Sequence, residues 1–94
     1  MKTKEELFLE IINNLEFKEV QNNIFHYFKD NRIYFIYDKK TKTLNYNYNT
    51  FYWFFRNEYD MQNNEVDQFI KDQMYKYFKL DIVTTDWMQV DLTP

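Results

Sequence analysis

Glycine, alanine, serine and cysteine are all missing from this 94-residue chain, and proline occurs once, at its last position. Each absence excludes something. Without Cys there are no disulfides, no thiolate nucleophile and no zinc site of the cysteine type, a usage that suits a reducing compartment. Without Gly, phosphate-cradling loops and EF-hand loops are ruled out. With neither Ser nor Cys, and with His26 as the single histidine, no nucleophile–base–orienter triad of the usual residue types can be assembled. No apolar span approaches the roughly 20 residues a bilayer requires, and the N-terminus Met1-Lys2-Thr3-Lys4-Glu5-Glu6 lacks the apolar stretch and small-residue cleavage site of a secretory signal. The expectation is a soluble, cytoplasmic, non-enzymatic protein with no cofactor, no metal and no membrane partner.

The lack of Gly also makes the chain's punctuation legible. Positions that need positive φ must go to Asn or Asp, which tolerate the left-handed region best among the remaining residues. Asn13-Asn14, Asn22-Asn23, Asp30-Asn31, Asn49 and Asn63-Asn64 stand where the hydrophobic pattern breaks.

Between these marks the pattern changes period. Thr3 with Glu6 three residues on forms a capping box, and Leu7, Phe8, Ile11, Ile12 and Leu15 repeat at helix spacing. Alternation follows. A two-residue turn at Asp30-Asn31 sets Phe28 opposite Ile33, His26 opposite Phe35 and Ile24 opposite Tyr37; a hairpin tip at Lys39 to Lys42 sets Tyr37 opposite Leu44, Phe35 opposite Tyr46 and Ile33 opposite Tyr48. One face then carries Ile24, His26, Phe28, Ile33, Phe35, Tyr37, Leu44, Tyr46 and Tyr48, which calls for a helical cover, and Phe25, Tyr27, Tyr34, Ile36, Asn45 and Asn47 form the open face. A fourth, edge strand is expected from about Phe17 to Val20, and a two-residue turn at Asn22-Asn23 would set Glu19 opposite His26.

From Thr50 the run Phe51-Tyr52-Trp53-Phe54-Phe55 loses alternation and reads as a short helix, with continuation of the strand as the rival. Asn63 or Asn64 is expected to cap a third helix whose face is Val66, Phe69, Ile70, Gln73, Met74, Tyr77 and Phe78, with Asp67-Lys71 and Asp72-Lys76 paired on the other side. Ile82 to Thr85 and Trp87 to Val90 are β-prone and either add an edge strand or wrap as a tail. The predicted fold is one α+β domain over 1–94: an N-terminal helix, an antiparallel meander of three or four strands, two C-terminal helices packed on one sheet face, and an extended tail.

The candidate functional residues follow from an excess. Phe, Tyr and Trp make up 22% of the chain, more ring area than one small core encloses, so some rings are expected at the surface. On a helix Phe51, Phe54 and Phe55 share one face, leaving Tyr52 and Trp53 as an exposed anchor pair unless the tail, through Trp87 or Met88, covers them. The formal charge of −3 is uneven: up to Asn49 eight Lys/Arg face seven Asp/Glu, and from Thr50 onward four face eight. An acidic carboxyl half fits a basic partner and disfavours nucleic acid. The interface residues read from this pattern are Tyr52, Trp53, Glu58, Asp60 and Asp86. Carboxylates at Glu65, Asp67, Asp72, Asp81 and Asp91 read as helix-start and surface charges. Lys39, Lys40 and Lys42 beside Phe25, Tyr27 and Tyr34 carry the competing reading, a platform for single-stranded nucleic acid.

Residues with AT-rich codons (Phe, Tyr, Met, Ile, Asn, Lys) number 51, and those with GC-rich codons (Gly, Ala, Arg, Pro) number three. That skew points to an AT-rich genome. Trp53, Phe55, Met61, Glu65-Val66, Phe69-Ile70-Lys71, Phe78-Lys79-Leu80 and Val83-Thr84-Thr85, spread over about a third of the chain, resemble a segment of small phage-encoded proteins of low-GC hosts. The resemblance implies origin and supplies no binding residues. The reading reached is an accessory protein of a phage or mobile element that binds a host protein, such as a nuclease with a basic groove, as a stoichiometric inhibitor of the anti-CRISPR or anti-restriction type. An immunity protein or antitoxin facing a cognate toxin is the alternative, and a homodimer is compatible with either.

Overall fold

Thr3 caps the first helix as its spacing to Glu6 predicts. In the computed structural model, which describes residues 2–86, Thr3 Oγ1 accepts from the Glu6 amide and Glu6 Oε1 accepts from the Thr3 amide, each at 3.1 Å. The order of elements is α1 (Lys4–Asn13), β1 (Glu16–Gln21), β2 (Ile24–Lys29), β3 (Arg32–Asp38), β4 (Thr43–Asn47), α2 (Tyr48–Phe55), α3 (Asn63–Tyr77) and β5 (Ile82–Asp86). This is the expected α+β arrangement, with the fuller count of four meander strands. The β-prone stretch after α3 resolves as a strand: β5 joins the sheet, whose order is β1-β2-β3-β4-β5, and runs parallel to β4. A parallel pair needs a long crossover, and α2 and α3 provide it. Trp87, Met88, Val90 and Asp91, together with the expected packing of the tail over Trp53, lie outside the described residues.

Asn and Asp fill four of the five left-handed positions among the described residues, as the missing glycine leads one to expect, and Lys42 departs from that rule. Asn23, Asp30 and Asn31 have φ of 66°, 52° and 64°, so the Asp30-Asn31 pair forms a hairpin turn with both central residues left-handed. At the next tip Asp38 Oδ1 accepts from the amides of Lys40 (3.0 Å) and Thr41 (3.2 Å), and Lys42 takes the left-handed position at φ 56°. A side chain with a β-carbon and no short polar group loses roughly 1 kcal/mol there. Asn31→Ala should therefore lower the unfolding free energy by about 1 kcal/mol while Asn31→Gly does not. Equal denaturation midpoints for the two variants would mean that residue 31 is not left-handed.

The β3–β4 register is as expected, with Phe35 opposite Tyr46 and Tyr37 opposite Leu44. The β2–β3 register is not. Phe28 does face Ile33, but Tyr27 then faces Phe35, His26 faces Ile36 and Ile24 faces Asp38, because Tyr34 is an extra residue on β3. This bulge reverses the predicted faces along β2. Its cause is packing: Tyr34 and Phe35 are adjacent yet both buried, the Tyr34 ring meeting Phe51 edge-on at 5.3 Å and Phe35 stacking on Tyr27 at 4.4 Å. A regular strand would send one of them to the far side. Likewise Lys18, not Glu19, faces His26, and a second bulge at Val20 follows the Glu19–Phe25 pair.

Ile33 finds no strand partner at position 48, because α2 begins at Tyr48. Asn47 Oδ1 caps it by accepting from the Asn49 amide at 3.2 Å. The Ile33 carbonyl instead accepts from Asn47 Nδ2 (3.4 Å) and Thr50 Oγ1 (3.3 Å). The cap of α3 is Gln62, one residue before the expected Asn63, with Glu65 Oε1 accepting from the Gln62 amide at 3.1 Å.

All three helices lie over the sheet face that carries Phe35, Leu44, Tyr46 and Val83. Phe8, Phe51, Phe55, Val66, Ile70 and Met74 are fully enclosed there. The Phe8 ring stacks on Phe51 and Tyr77 and meets Phe69 edge-on, each at 6.2 Å. Ile24, His26, Phe28, Ile33 and Ile36 stand on the other side and are not part of that cluster.

Candidate functional site

α2 presents two surfaces of unlike character. Its inward side buries Tyr48, Phe51 and Phe55. Its outward side exposes Trp53, whose relative accessibility of 58% is high for so large an apolar side chain. Trp53 is not a loose ring. It contacts Tyr52 at 4.7 Å, Tyr52 stacks on the buried Tyr48 at 5.8 Å, and the Arg56 guanidinium lies over Tyr52 at 5.8 Å. Tyr48 and Arg56 are fixed in turn, since the Tyr48 hydroxyl and Arg56 Nη1 both donate to Asn63 Oδ1, at 2.8 and 3.0 Å. Of the expected pair only Trp53 is exposed; Tyr52 is half-buried and packs against the core, and the two touch on a support reaching from the start of α2 to the start of α3.

The expected carboxylates are distributed around this support. Glu58 and Asp60 are exposed on the loop from α2 to α3, where Asp60 adopts φ 51°. The loop is held at Tyr59, whose hydroxyl donates to the Lys2 carbonyl at 2.7 Å. Asp86 pairs through its backbone with Asn47, the N-cap of α2. Tyr52 and Trp53 touch; Glu58, Asp60 and Asp86 are brought to the flanking segments.

A polar cluster that sequence reading missed lies beneath the helices. Asp67, expected on the solvated side of α3, accepts from the hydroxyl of the enclosed Tyr46 and from Thr85 Oγ1 at 2.5 Å, and pairs with Lys71 Nζ at 3.3 Å. Burial works to raise the Asp67 pKa, but the hydrogen bonds from Thr85, Tyr46 and Lys71 prevail and hold it below its ordinary value. Burial first, and the Asp67 hydrogen bond second, push the Tyr46 phenol far upward. The cluster ties β4, α3 and β5 together. The Asp67–Lys71 spacing is the only signal of it in the sequence. The second expected acid on that side, Asp72, accepts from Gln68 Nε2 at 2.8 Å.

His26 lines a hollow of about 300 Å³ on the outer sheet face with Lys18, Val20 and Phe28. Its pKa is lowered, by burial and then by the charge of Lys18, which stands opposite it in the place expected for Glu19. The platform of Phe25, Tyr27 and Tyr34 beside the lysine tip is not assembled, since Tyr27 and Tyr34 turn toward the helices. Among the described residues no group of three or more His, Asp or Glu side chains could hold a metal ion, and no helix is long and apolar enough to cross a membrane. Comparisons with protein-family models, with curated proteins and with solved structures find no match.

Proposed function

We propose that the chain is a protein-binding accessory protein of a phage or mobile element, acting as a stoichiometric inhibitor of a host nucleic-acid-handling or defence protein. The observation that carries this reading is Trp53, exposed at 58% on a helix whose neighbouring rings are fixed from behind. Exposed aromatics on a rigid support are the residues that dominate protein interfaces, because little side-chain entropy is lost when a partner covers them. The sequence from Thr50 onward carries four Lys/Arg against eight Asp/Glu, so the complementary partner is basic, as is the groove of a nuclease that follows a phosphate backbone.

The test is capture from host lysate, followed by titration of the purified captured protein against wild type and Trp53→Ala. Anchors of this kind cost about 2 kcal/mol or more on truncation, so binding should weaken at least roughly thirtyfold with the thermal midpoint of the chain unchanged. Reversing Glu58 and Asp60 to Lys should slow association and flatten its salt dependence. Unchanged affinity for Trp53→Ala would remove α2 from the interface.

A further inference from the structure

The edge of the sheet at β1 offers a second surface, on the opposite flank of the molecule from β4 and β5. β1 is the outermost strand, and every one of its residues is exposed. Its backbone groups on the outer side are a template for another strand. Phe17 sits in the middle of the regular part, Glu16 to Glu19, ahead of the bulge at Val20. It is 66% exposed even though it lies on the helix-bearing face, its ring meeting Phe25 at 6.3 Å and Tyr27 at 5.7 Å. No helix therefore overhangs the edge. Among the described residues the ion pairs are Lys2–Glu10 and Lys71–Asp67, leaving Glu16 and Lys18 without an opposite charge.

We infer that β1 pairs antiparallel with β1 of a second copy about a two-fold axis through Phe17, making one continuous ten-stranded sheet. The register follows from symmetry and charge. A two-fold axis between antiparallel strands stands perpendicular to the sheet, so opposed residues must share a face and the axis must pass through a residue position. Centred on Lys18, the axis sets Lys against Lys and Phe17 against Glu19. Centred on Glu19, it sets Glu against Glu and Lys18 against Val20. Centred on Phe17, it stacks the two exposed rings and sets Glu16 of each copy opposite Lys18 of the other, with no like charges opposed. The paired stretch then runs from Leu15 to Glu19 and stops where the bulge bends the strand away. This contact leaves Trp53 free, so it adds to the proposed host interface without depending on it.

Light scattering and sedimentation of the full chain should give twice 12.0 kDa at high concentration. Glu16→Lys and Lys18→Glu alone each create two like-charge oppositions and should weaken the dimer roughly tenfold; the two together restore the pairs and should recover it. The chain has no cysteine, so single thiols give a register-specific check. Phe17→Cys places its two thiols across the axis, within the Cα separation a disulfide spans, and should cross-link on oxidation. Val20→Cys separates its thiols by six residues, roughly 20 Å, and should not. A single-chain mass at about 1 mM, a dimer indifferent to the charge changes, cross-linking at 20 rather than 17, or open-ended polymers would each overturn the assignment. The cross-linking pair still decides the matter if a charge variant misfolds.

Discussion

Phe51→Ala should lower the unfolding free energy by about 4 kcal/mol, among the largest effects expected of a single truncation at the described residues. Phe51 is fully buried and is the point where three layers of rings meet: Phe8 of α1 stacked at 6.2 Å, Tyr34 of the β3 bulge edge-on at 5.3 Å, and Tyr46 of β4 edge-on at 5.8 Å. Rigid neighbours held by one another cannot collapse into the space a ring vacates, so the cavity contribution adds to the lost transfer free energy. A domain of this size holds roughly 5–14 kcal/mol in total, so the variant loses a large share and its thermal midpoint falls by roughly 15–30 °C. Phe17→Ala, the same change at an exposed position, should move the stability of the dilute single chain by less than about 0.5 kcal/mol. Calorimetry on the two variants checks the contrast. Similar losses at both positions would mean that the centre of the core lies elsewhere.

The same residues show why parts of this fold could be read from sequence and others could not. Local rules sufficed where one spacing has one meaning. Thr3 and Glu6 close a capping box because only a helix start brings them together, and the β3–β4 register followed from a tip of known length. They failed at Tyr34 because Ile33-Tyr34-Phe35-Ile36-Tyr37 is apolar at both parities. Alternation therefore could not reveal an inserted residue, and the bulge is chosen by the space beneath Phe51. That single insertion reversed the faces of β2, brought Tyr27 half-buried against the core and put Ile24, His26 and Phe28 on the other side. In α2 the run of rings is likewise blind to direction, yet Trp53 was separable from Phe51 and Phe55 once helix spacing was assumed. Asn63 did not cap α3 because its side chain is committed to Tyr48 and Arg56.

Asp67 was the least legible residue of all. An acid four positions before a lysine on a helix has the same pattern whether it faces water or the sheet. What distinguishes this one is Tyr46, 21 residues before it, and Thr85, 18 residues after it, contacts that exist only after β4, α3 and β5 have assembled. Replacing Asp67 should therefore act on the whole assembly rather than on α3. Asp67→Ala leaves the Tyr46 hydroxyl buried with no charged acceptor, and a hydrogen bond to a charged group contributes about 1.5–3 kcal/mol, so we expect a loss of that size near neutral pH. Asp67→Asn keeps one acceptor and should lose less.

The pH dependence separates this account from simple loss of packing. The Asp67 pKa is lowered in the folded chain, so the stability it contributes is complete above its unfolded value near 3.9 and fades as pH falls through the folded one. The gap between wild type and Asp67→Ala should be level from neutrality to about pH 5 and should narrow on further acidification. The Tyr46 pKa is raised, so its contribution is complete below about pH 10, the unfolded value, and is lost as the solution becomes more alkaline. Tyr46→Phe should remove its part of the alkaline slope and should also weaken the dependence on Asp67, since each residue is the other's partner. Denaturant titrations of wild type, the two single variants and the double variant between acid and alkaline pH measure all of this. Strictly additive losses at every pH would show that Tyr46 and Asp67 do not act together, and that the hydrogen bond between them does not hold β4 to α3.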